Sequence, residues 1–504
     1  MSLRDLAADW RATGGMVLLA AVGLVLFALV PLPELGIVVV LLLTLVSVVY
    51  LSQKWPVTTL WVVLVVYYFM PFSSINPLIR AGGEYFTIYK RIFGPLSVWD
   101  VLLGLAFILI LISRLRHGQL TFPGLPSGTW LAILGIYLFA FLMGLLHTHG
   151  NLLSYGRTEL LRPLVAAQPI LYKFALYWIT ATVLQTPLDI RKTIQFVKWL
   201  SLSLILYGII RAVLIFSGVI ITMWPFGLPI VLYDQMMMLY LPIFWGLLAF
   251  LASEKVVTIK PVWAVLAIVF IISSARRFNY LLLGGGLLLV LILTWRFYPG
   301  QSGRQLFRKL RLPLLILVMA AAIVVVIMPT LIERVVYTTQ TLDIYRATDP
   351  GTGSDIRRGE INNLFLNLQQ RPYSYWCGFG LGTTWKAITY QPYDSFSFTR
   401  ETLIRGLDWY PQFHLPYISL LFRYGVLGSC LYWLLCVFLL SRFYLNLKRL
   451  AQFQELPFAF YLGGLIFIIL ILPSIGDSVN PTAPILVGFL IGIIERTVAL
   501  YSTG

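Results

Sequence analysis

Two arginines in tandem, Arg276 and Arg277, separate the apolar stretches 261–275 and 278–295. An arginine at the centre of a bilayer costs at least about 2.5–3.5 kcal/mol, so near a membrane this pair favours a counter-charge. Because arginine binds phosphate and carboxylate in a planar fork, the pair is a candidate clamp for an anionic group such as a diphosphate. The alternative is a pair that snorkels to the lipid head groups.

A single histidine, His414, stands where a long polar segment meets the next apolar stretch. The ordinary pKa of histidine, about 6.5, suits a general base. A lone histidine at a helix start is more often a structural group, and that alternative stays open. His147 and His149 form an H-x-H pair, but the sequence has no evident Cys, His or Asp cluster that would complete a zinc site.

The composition excludes a soluble globular enzyme. Hydrophobic residues make up 59% of the 504 residues, charged residues only 11%, and the mean hydropathy is +0.86. A soluble domain carries about 25% charged residues, and a disordered chain would be polar. The apolar stretches are too long for the alternating strands of a membrane barrel. We therefore expect an all-α polytopic membrane protein, in which the excess of 37 Lys and Arg over 20 Asp and Glu reflects orientation rather than nucleic-acid binding.

Apolar stretches of the length that spans a bilayer occur about fourteen times. They are 16–33, 35–52, 55–72, 98–114, 129–147, 167–185, 196–220, 229–252, 261–275, 278–295, 312–332, 414–440, 457–474 and 481–499. If the N-terminus is cytoplasmic, every segment on that side contains Lys or Arg, and the even count puts both termini inside. The predicted organisation is eleven membrane helices in 1–332, an external loop at 333–413, and three membrane helices in 414–504.

The predicted external loop is too polar to span a membrane and contains glycine and proline turns, among them Gly378–Gly382. Within it, Asp355 to Gln370 reads as an amphipathic helix with Ile361, Leu364, Phe365 and Leu368 on its apolar face.

Three motifs resemble the O-antigen ligase and polymerase superfamily of bacterial membrane glycosyltransferases. The segment 414–428, HLPYISLLFRYGVLG, is similar to the family's H-[NS]-x-x-L-x-x-L-x-x-x-G-L-L-G pattern. Arg371-Pro372 and the turn Gly378–Gly382 resemble its PLLGxGxG turn, and Ser274–Arg277 resembles its SRG. Leu415 departs from the family's Asn or Ser, the arginine is doubled, and fourteen spans exceed the usual dozen or so.

The resemblance implies a GT-C-like helical bundle that transfers glycan from an undecaprenyl-diphosphate-linked donor, with inversion, without a cofactor and without an obligatory metal. His414 would be the base. Arg276 and Arg277, with Arg211, Arg357 and Arg358, would hold the donor diphosphate. Trp376, Trp409 and Tyr410 would stack on sugars, unless they form an interfacial aromatic belt.

The same resemblance implies partners and a location: a glycan or lipid-linked acceptor, and a bacterial inner membrane. A flippase and a chain-length regulator are further candidate partners in surface polysaccharide assembly. The motifs do not separate a polymerase from a ligase. The alternative from another class is a flippase for lipid-linked oligosaccharide, or another polytopic transporter, although these usually show two related halves.

Overall fold

The computed structural model describes only part of the chain. The described residues are 56–69, 91–93, 96–116, 127–149, 162–217, 236–254, 261–273, 277–298, 353–383, 385–386, 409–410, 416–453, 456–475 and 482–502, with single positions at 308, 311, 315, 318 and 322. The predicted spans 16–33 and 35–52, most of 312–332, and residues Arg276 and His414 lie outside them.

Helices account for nearly all of the described chain. In order, the elements are α1 (Pro56–Phe69), β1 (Arg91–Phe93), β2 (Leu96–Ser97), α2 (Val98–Arg116), α3 (Ser127–His149), α4 (Arg162–Val183), α5 (Pro187–Phe216), α6 (Met236–Ala252), α7 (Pro261–Ser273), α8 (Arg277–Phe297), α9 (Gly353–Gln370), α10 (Ser374–Cys377), β3 (Trp385–Lys386), β4 (Trp409–Tyr410), α11 (Pro416–Leu450), α12 (Phe458–Ile475) and α13 (Thr482–Ser502). The strands form two antiparallel pairs of two or three residues each, β1 with β2 and β3 with β4. The expectation of a helical protein is confirmed for the described residues.

The expected number of fourteen membrane spans is not what the described residues contain. Two helices, Pro187–Phe216 and Tyr417–Leu450, are long and apolar enough to cross a membrane by length and composition. Six shorter apolar stretches run for 10–17 residues. At 1.5 Å per residue, 17 residues reach only about 25 Å, less than the roughly 30 Å of a bilayer's hydrocarbon core. This count covers the described residues, which leave out the predicted spans 16–33, 35–52 and most of 312–332.

The bundle is held by close contacts between helices that are distant in sequence. The most extensive contacts join α4 to α13 and α6 to α12. In the first pair, a Cβ added to Gly488 would overlap the backbone carbonyl of Lys173, so the two backbones approach as only small residues allow. In the second pair, the ring of Trp245 packs on Phe460 at 5.1 Å between centroids.

A charged group links α11 to α13 inside this bundle. Arg442 donates from Nε and Nη2 to the two carboxylate oxygens of Glu495, at 2.6 and 2.9 Å. Asn446 donates to the same carboxylate at 2.9 Å. Glu495 is buried, and a buried carboxylate is tolerated when it is paired and hydrogen-bonded in this way.

Several helices present large apolar side chains on the outside of the bundle. They are Ile108, Ile112 and Leu115 on α2, Leu134, Leu138, Phe139, Leu142 and Leu146 on α3, Leu281, Leu288, Ile292 and Trp295 on α8, and Leu427, Leu431, Leu434 and Val437 on α11. Contiguous apolar faces of this size are rare on soluble monomers and fit contact with lipid.

Glu254 joins three helix ends at one junction. Ser253 directly follows α6 and has a φ of 59°, a left-handed conformation. The chain turns there, and the carboxylate of the next residue, Glu254, faces α12. One Glu254 oxygen accepts a hydrogen bond at 2.9 Å from the Ala459 backbone N–H in the first turn of α12, and the Tyr298 hydroxyl lies beside it. Burial raises the pKa of the Glu254 carboxyl to about 7, from an ordinary 4.5, and the hydrogen bonds offset only part of that rise.

We expect this carboxyl to make folding stability fall with rising pH. The unfolded chain loses the proton near pH 4.5, whereas the folded chain keeps it until about pH 7. The contribution of Glu254 to the free energy of unfolding is therefore constant below pH 4.5. It falls by about 3 kcal/mol at most between pH 4.5 and about 7, and it is constant again above that. Thermal unfolding between pH 4.5 and 8, compared for the natural chain and Glu254→Gln, measures it. The variant should show a smaller loss of Tm over this interval, and an equal loss in both proteins would contradict the assignment.

Candidate functional site

Helix α11 is broken near its start, and the break is where the site is organised. Gly425 has φ of 63° and ψ of −171°, which is not helical. The carbonyls of Phe422 and Arg423 accept hydrogen bonds from the backbone N–H groups of Phe379 and Gly380, at 2.7 and 2.9 Å. Such a break needs glycine, because other residues adopt a positive φ only at a cost. The turn 378–382 thus pairs with the helix that follows His414.

The other side of this turn is held by α3. The N–H of Leu381 donates to the carbonyl of Ala140 at 2.8 Å. A Cβ added to Gly144 would overlap the Leu381 backbone, and one added to Gly380 would overlap the Gly144 backbone. We call this contact of residues 378–382 with 140–144 and 422–425 the clasp. Two of the three motifs on which the family resemblance rests, the glycine turn and the helix after His414, meet in it.

An apolar cluster supports the clasp from α9. Leu364 and Leu368 of α9 are buried together with Phe379, Ile418 and Phe422. The rings of Phe379 and Phe422 are stacked at 4.7 Å. This confirms the amphipathic helix predicted at 355–370, although Phe365, which was placed on its apolar face, is 45% exposed.

His147 closes the clasp on the α3 side, a role that the sequence analysis missed. Its Nδ1 lies 2.9 Å from the Met143 carbonyl, so Nδ1 carries the hydrogen and Nε2 of the neutral ring accepts from the Tyr373 hydroxyl at 3.1 Å. The imidazole also packs on the rings of Tyr373 and Phe379. Its position at the end of a predicted span was the available signal, but it was considered only as half of a metal pair.

Buried polar side chains lie on the helices that form the clasp. Arg423 of α11 is 4% exposed, and Glu360 and Asn363 of α9 are completely buried. Helices α9 and α11 contact each other, so a buried guanidinium and a buried carboxylate are carried by adjacent elements. Charged residues are rarely buried without a role or a partner. Glu360 belongs to no sequence motif, so only the fold brings it to attention.

Arg211 is the best described of the predicted diphosphate-binding residues. It is completely buried in the second half of α5, and its Nη1 donates to the Tyr207 hydroxyl at 3.4 Å. Helix α5 contacts α7, which ends at Ser273, four residues before the start of α8 at Arg277. The side chains of Arg277, Arg357 and Arg358 lie outside the described residues, although their backbones lie in α8 and α9.

The predicted sugar-stacking residues are partly brought together. Trp376 lies in α10, beside the clasp, and is 57% exposed. In the second strand pair, Trp385 is opposite Tyr410 and Lys386 is opposite Trp409. Helix α9 contacts β3. The backbones that carry Trp409 and Tyr410 are thus tied to the same helix that supports the clasp.

Metal ligands do not cluster in the part of the chain that the structure describes, where no group of three His, Cys, Asp or Glu side chains is positioned to hold an ion.

The tight approach at the clasp predicts a sharp difference between two glycines of α3. In Gly144→Ala, the methyl group would overlap the Leu381 backbone, which can move only if the turn leaves α3, and we expect a loss of several kcal/mol or of folded protein. The matched control is Gly135→Ala on the same helix, where no atom lies within 4 Å of the added Cβ. It should be neutral or stabilise by about 0.5–1 kcal/mol. Thermal unfolding of both variants tests the clasp, and equal stability would contradict it.

Comparison with known proteins gives no further information about the site. No protein-family model matches the chain, and no curated protein matches it. The resemblance to the O-antigen ligase and polymerase superfamily therefore stays a prediction that rests on the three motifs.

Proposed function

We propose that this protein is a membrane glycosyltransferase of the O-antigen ligase and polymerase type. It would transfer glycan from an undecaprenyl-diphosphate-linked donor to a sugar or lipid-linked acceptor at the outer face of a bacterial inner membrane. The observation that carries the proposal is the clasp. The glycine turn and the helix after His414, which are separate motifs of the resemblance, are hydrogen-bonded to each other through Phe379 and Gly380.

The membrane location is supported by composition and surface. Two helices have the length and apolar character of a span, and the outward faces of α2, α3, α8 and α11 carry large apolar side chains. Lipid can cover such faces at no cost, whereas water cannot. The placement of both termini in the cytoplasm, which the basic segments predicted, is part of this proposal.

The reaction requires positively charged groups that stabilise the leaving diphosphate and a base that takes the proton of the acceptor hydroxyl. The bond between the anomeric carbon and the diphosphate oxygen breaks, and a bond from the acceptor oxygen to the opposite face of that carbon forms, which inverts its configuration. The acceptor proton goes to His414, and the negative charge goes to the released undecaprenyl diphosphate. Guanidinium groups of Arg276, Arg277, Arg211, Arg357 and Arg358 would stabilise that charge most strongly in the transition state.

The second candidate is a flippase for the same lipid-linked oligosaccharide. The buried Arg211 and Arg423 also suit a protein that carries an anionic head group across the membrane. The transferase is favoured because two motifs of the resemblance meet in the clasp, whereas transporter sites lie near the midplane between two related halves.

Loss of His414 should abolish glycan transfer. Purified protein is given a labelled undecaprenyl-diphosphate-linked repeat unit, and the products are separated on a gel. A ladder in the natural chain that is absent in His414→Ala indicates a polymerase that needs this base. A single shifted band that requires a second acceptor indicates a ligase. His117→Ala is the control and should keep activity, since His117 lies in a predicted cytoplasmic loop. Full activity in His414→Ala, or no product from any protein, would remove the proposal and favour the flippase.

Loss of the Arg211 guanidinium should slow transfer without unfolding the bundle. Removing one donor to a developing anion typically costs on the order of 10²–10³ in turnover. Arg211→Lys keeps the charge but not the fork, so it should retain more activity than Arg211→Gln. Turnover is measured at saturating donor, with Tm as the check on folding and Lys448→Gln, on the exposed end of α11, as the control. Turnover of Arg211→Gln within twofold of the natural chain, at an unchanged Tm, would exclude this role.

A further inference from the structure

The carboxyl end of α4 is held by two arginines from other helices. Arg114 of α2 donates from Nη2 to the Thr182 carbonyl at 3.0 Å. Arg496 of α13 donates from Nε to the Leu184 carbonyl at 2.6 Å. The last carbonyls of a helix have no partner within it and carry a partial negative charge, so guanidinium groups stabilise them.

These two guanidiniums lie close enough for their like charges to repel each other. Carbonyl dipoles compensate a full positive charge only in part, and two such charges share one helix end. A phosphate group between or beside them would relieve the repulsion, because it accepts bidentate hydrogen bonds from arginine.

More basic side chains surround the same helix end. Arg116 follows Arg114 by two residues and is exposed, and Arg191 and Lys192 lie in the second turn of α5, which begins just after α4 ends. We call Arg114, Arg116, Arg191, Lys192 and Arg496 the basic corner. The orientation rule explains why basic residues lie at this end, but it does not explain why they converge on one junction of α2, α4, α5 and α13.

The acidic groups described at this junction are already engaged. Asp189 accepts from the backbone N–H and the hydroxyl of Thr186, in the capping box that begins α5. Glu495 is paired with Arg442. Asp189 keeps its charge, since its donors are neutral, but the five basic side chains of the basic corner outnumber Asp189 and Glu495, so positive charge remains in excess.

An apolar stripe runs from the basic corner along the surface of α2. Ile108, Ile112 and Leu115 are exposed and recur at the spacing of one helix face. On α5, Leu188 and Trp199 are also exposed. Basic groups at the end of an exposed apolar stripe match a molecule with an anionic head and hydrocarbon tails.

We propose that the basic corner binds the phosphate head group of an anionic phospholipid, whose acyl chains lie along the exposed face of α2. The phosphate is held at the junction of α2, α4, α5 and α13, and the lipid fastens these helix ends together. This inference rests on the proposed membrane location but not on the proposed glycan transfer.

The test compares two double variants that remove the same charge. Arg116→Gln/Arg191→Gln removes exposed members of the basic corner and leaves the hydrogen bonds to α4 intact. Lys448→Gln/Arg449→Gln removes two exposed charges from the end of α11 and is the control. The protein in neutral detergent is titrated with phosphatidylglycerol, with phosphatidylcholine and with inorganic phosphate, and Tm is recorded.

We expect phosphatidylglycerol to raise the Tm of the natural chain and of the control at similar concentrations. The basic-corner variant should need on the order of tenfold more lipid for the same rise, since each Lys or Arg near an anionic surface contributes several-fold in affinity. Phosphatidylcholine should have little effect.

Three results would overturn the proposal. The first is an equal response of the basic-corner variant and the natural chain. The second is an equal loss in the control, which would indicate a general charge effect. The third is the same rise in Tm with inorganic phosphate, which would indicate an anion site without lipid. Glycan transfer is not the readout, so failure of the proposed reaction would not affect this test.

Discussion

A buried backbone must have hydrogen-bond partners, and this requirement shapes the centre of the molecule. The turn at 378–382 lies between two apolar helices, where no strand or helix of its own can satisfy its N–H groups. The break in α11 at Gly425 leaves the carbonyls of Phe422 and Arg423 available, and the turn uses them. The unpaired carbonyls of the broken helix and the unpaired N–H groups of the turn therefore satisfy each other. Irregular backbone within an apolar bundle is tolerated only where protein supplies such partners.

This arrangement changes how the polar segment before α11 should be regarded. The sequence analysis predicted an external loop at 333–413 with turns and one amphipathic helix. The described part of that segment is instead attached to α3 and α11 by backbone hydrogen bonds and to α11 by the apolar cluster around Phe379. Motion of the turn would have to move α3 or the start of α11 as well, so a rearrangement at the site involves the bundle.

The sequence predicts the positions of helices well where apolar composition alone decides them. The predicted span 457–474 corresponds to the helix Phe458–Ile475, and the predicted span 98–114 corresponds to the helix Val98–Arg116. The start of α5 was placed nine residues too late, at 196, because Arg191 and Lys192 suggested a loop. The local signal was the capping box of Thr186 and Asp189 with Pro187 in the first turn, and it outweighs two charged residues.

The candidate site was less predictable, because its residues meet through contacts without a sequence period. The glycine turn and the helix after His414 were identified as motifs, yet nothing in either indicates that Gly380 lies against Gly144, more than two hundred residues earlier. Glu360 was not selected, since it belongs to no motif, and His147 was considered only as half of an H-x-H metal pair. Single glycines and single polar residues are compatible with many environments, so only the fold distinguishes the ones that matter.

The sequence separation of the clasp also determines when it can form. Ala140 is synthesised long before Leu381, and Gly425 emerges later still. Since the chain is made from its N-terminus, α3 is complete before the turn 378–382 exists, and the turn lacks the carbonyls of Phe422 and Arg423 until α11 has begun. Closing so long a loop carries an entropic cost that only the completed three-part contact recovers. The clasp is therefore a late step of assembly, and chains that stop before α11 lack the partner that secures the turn.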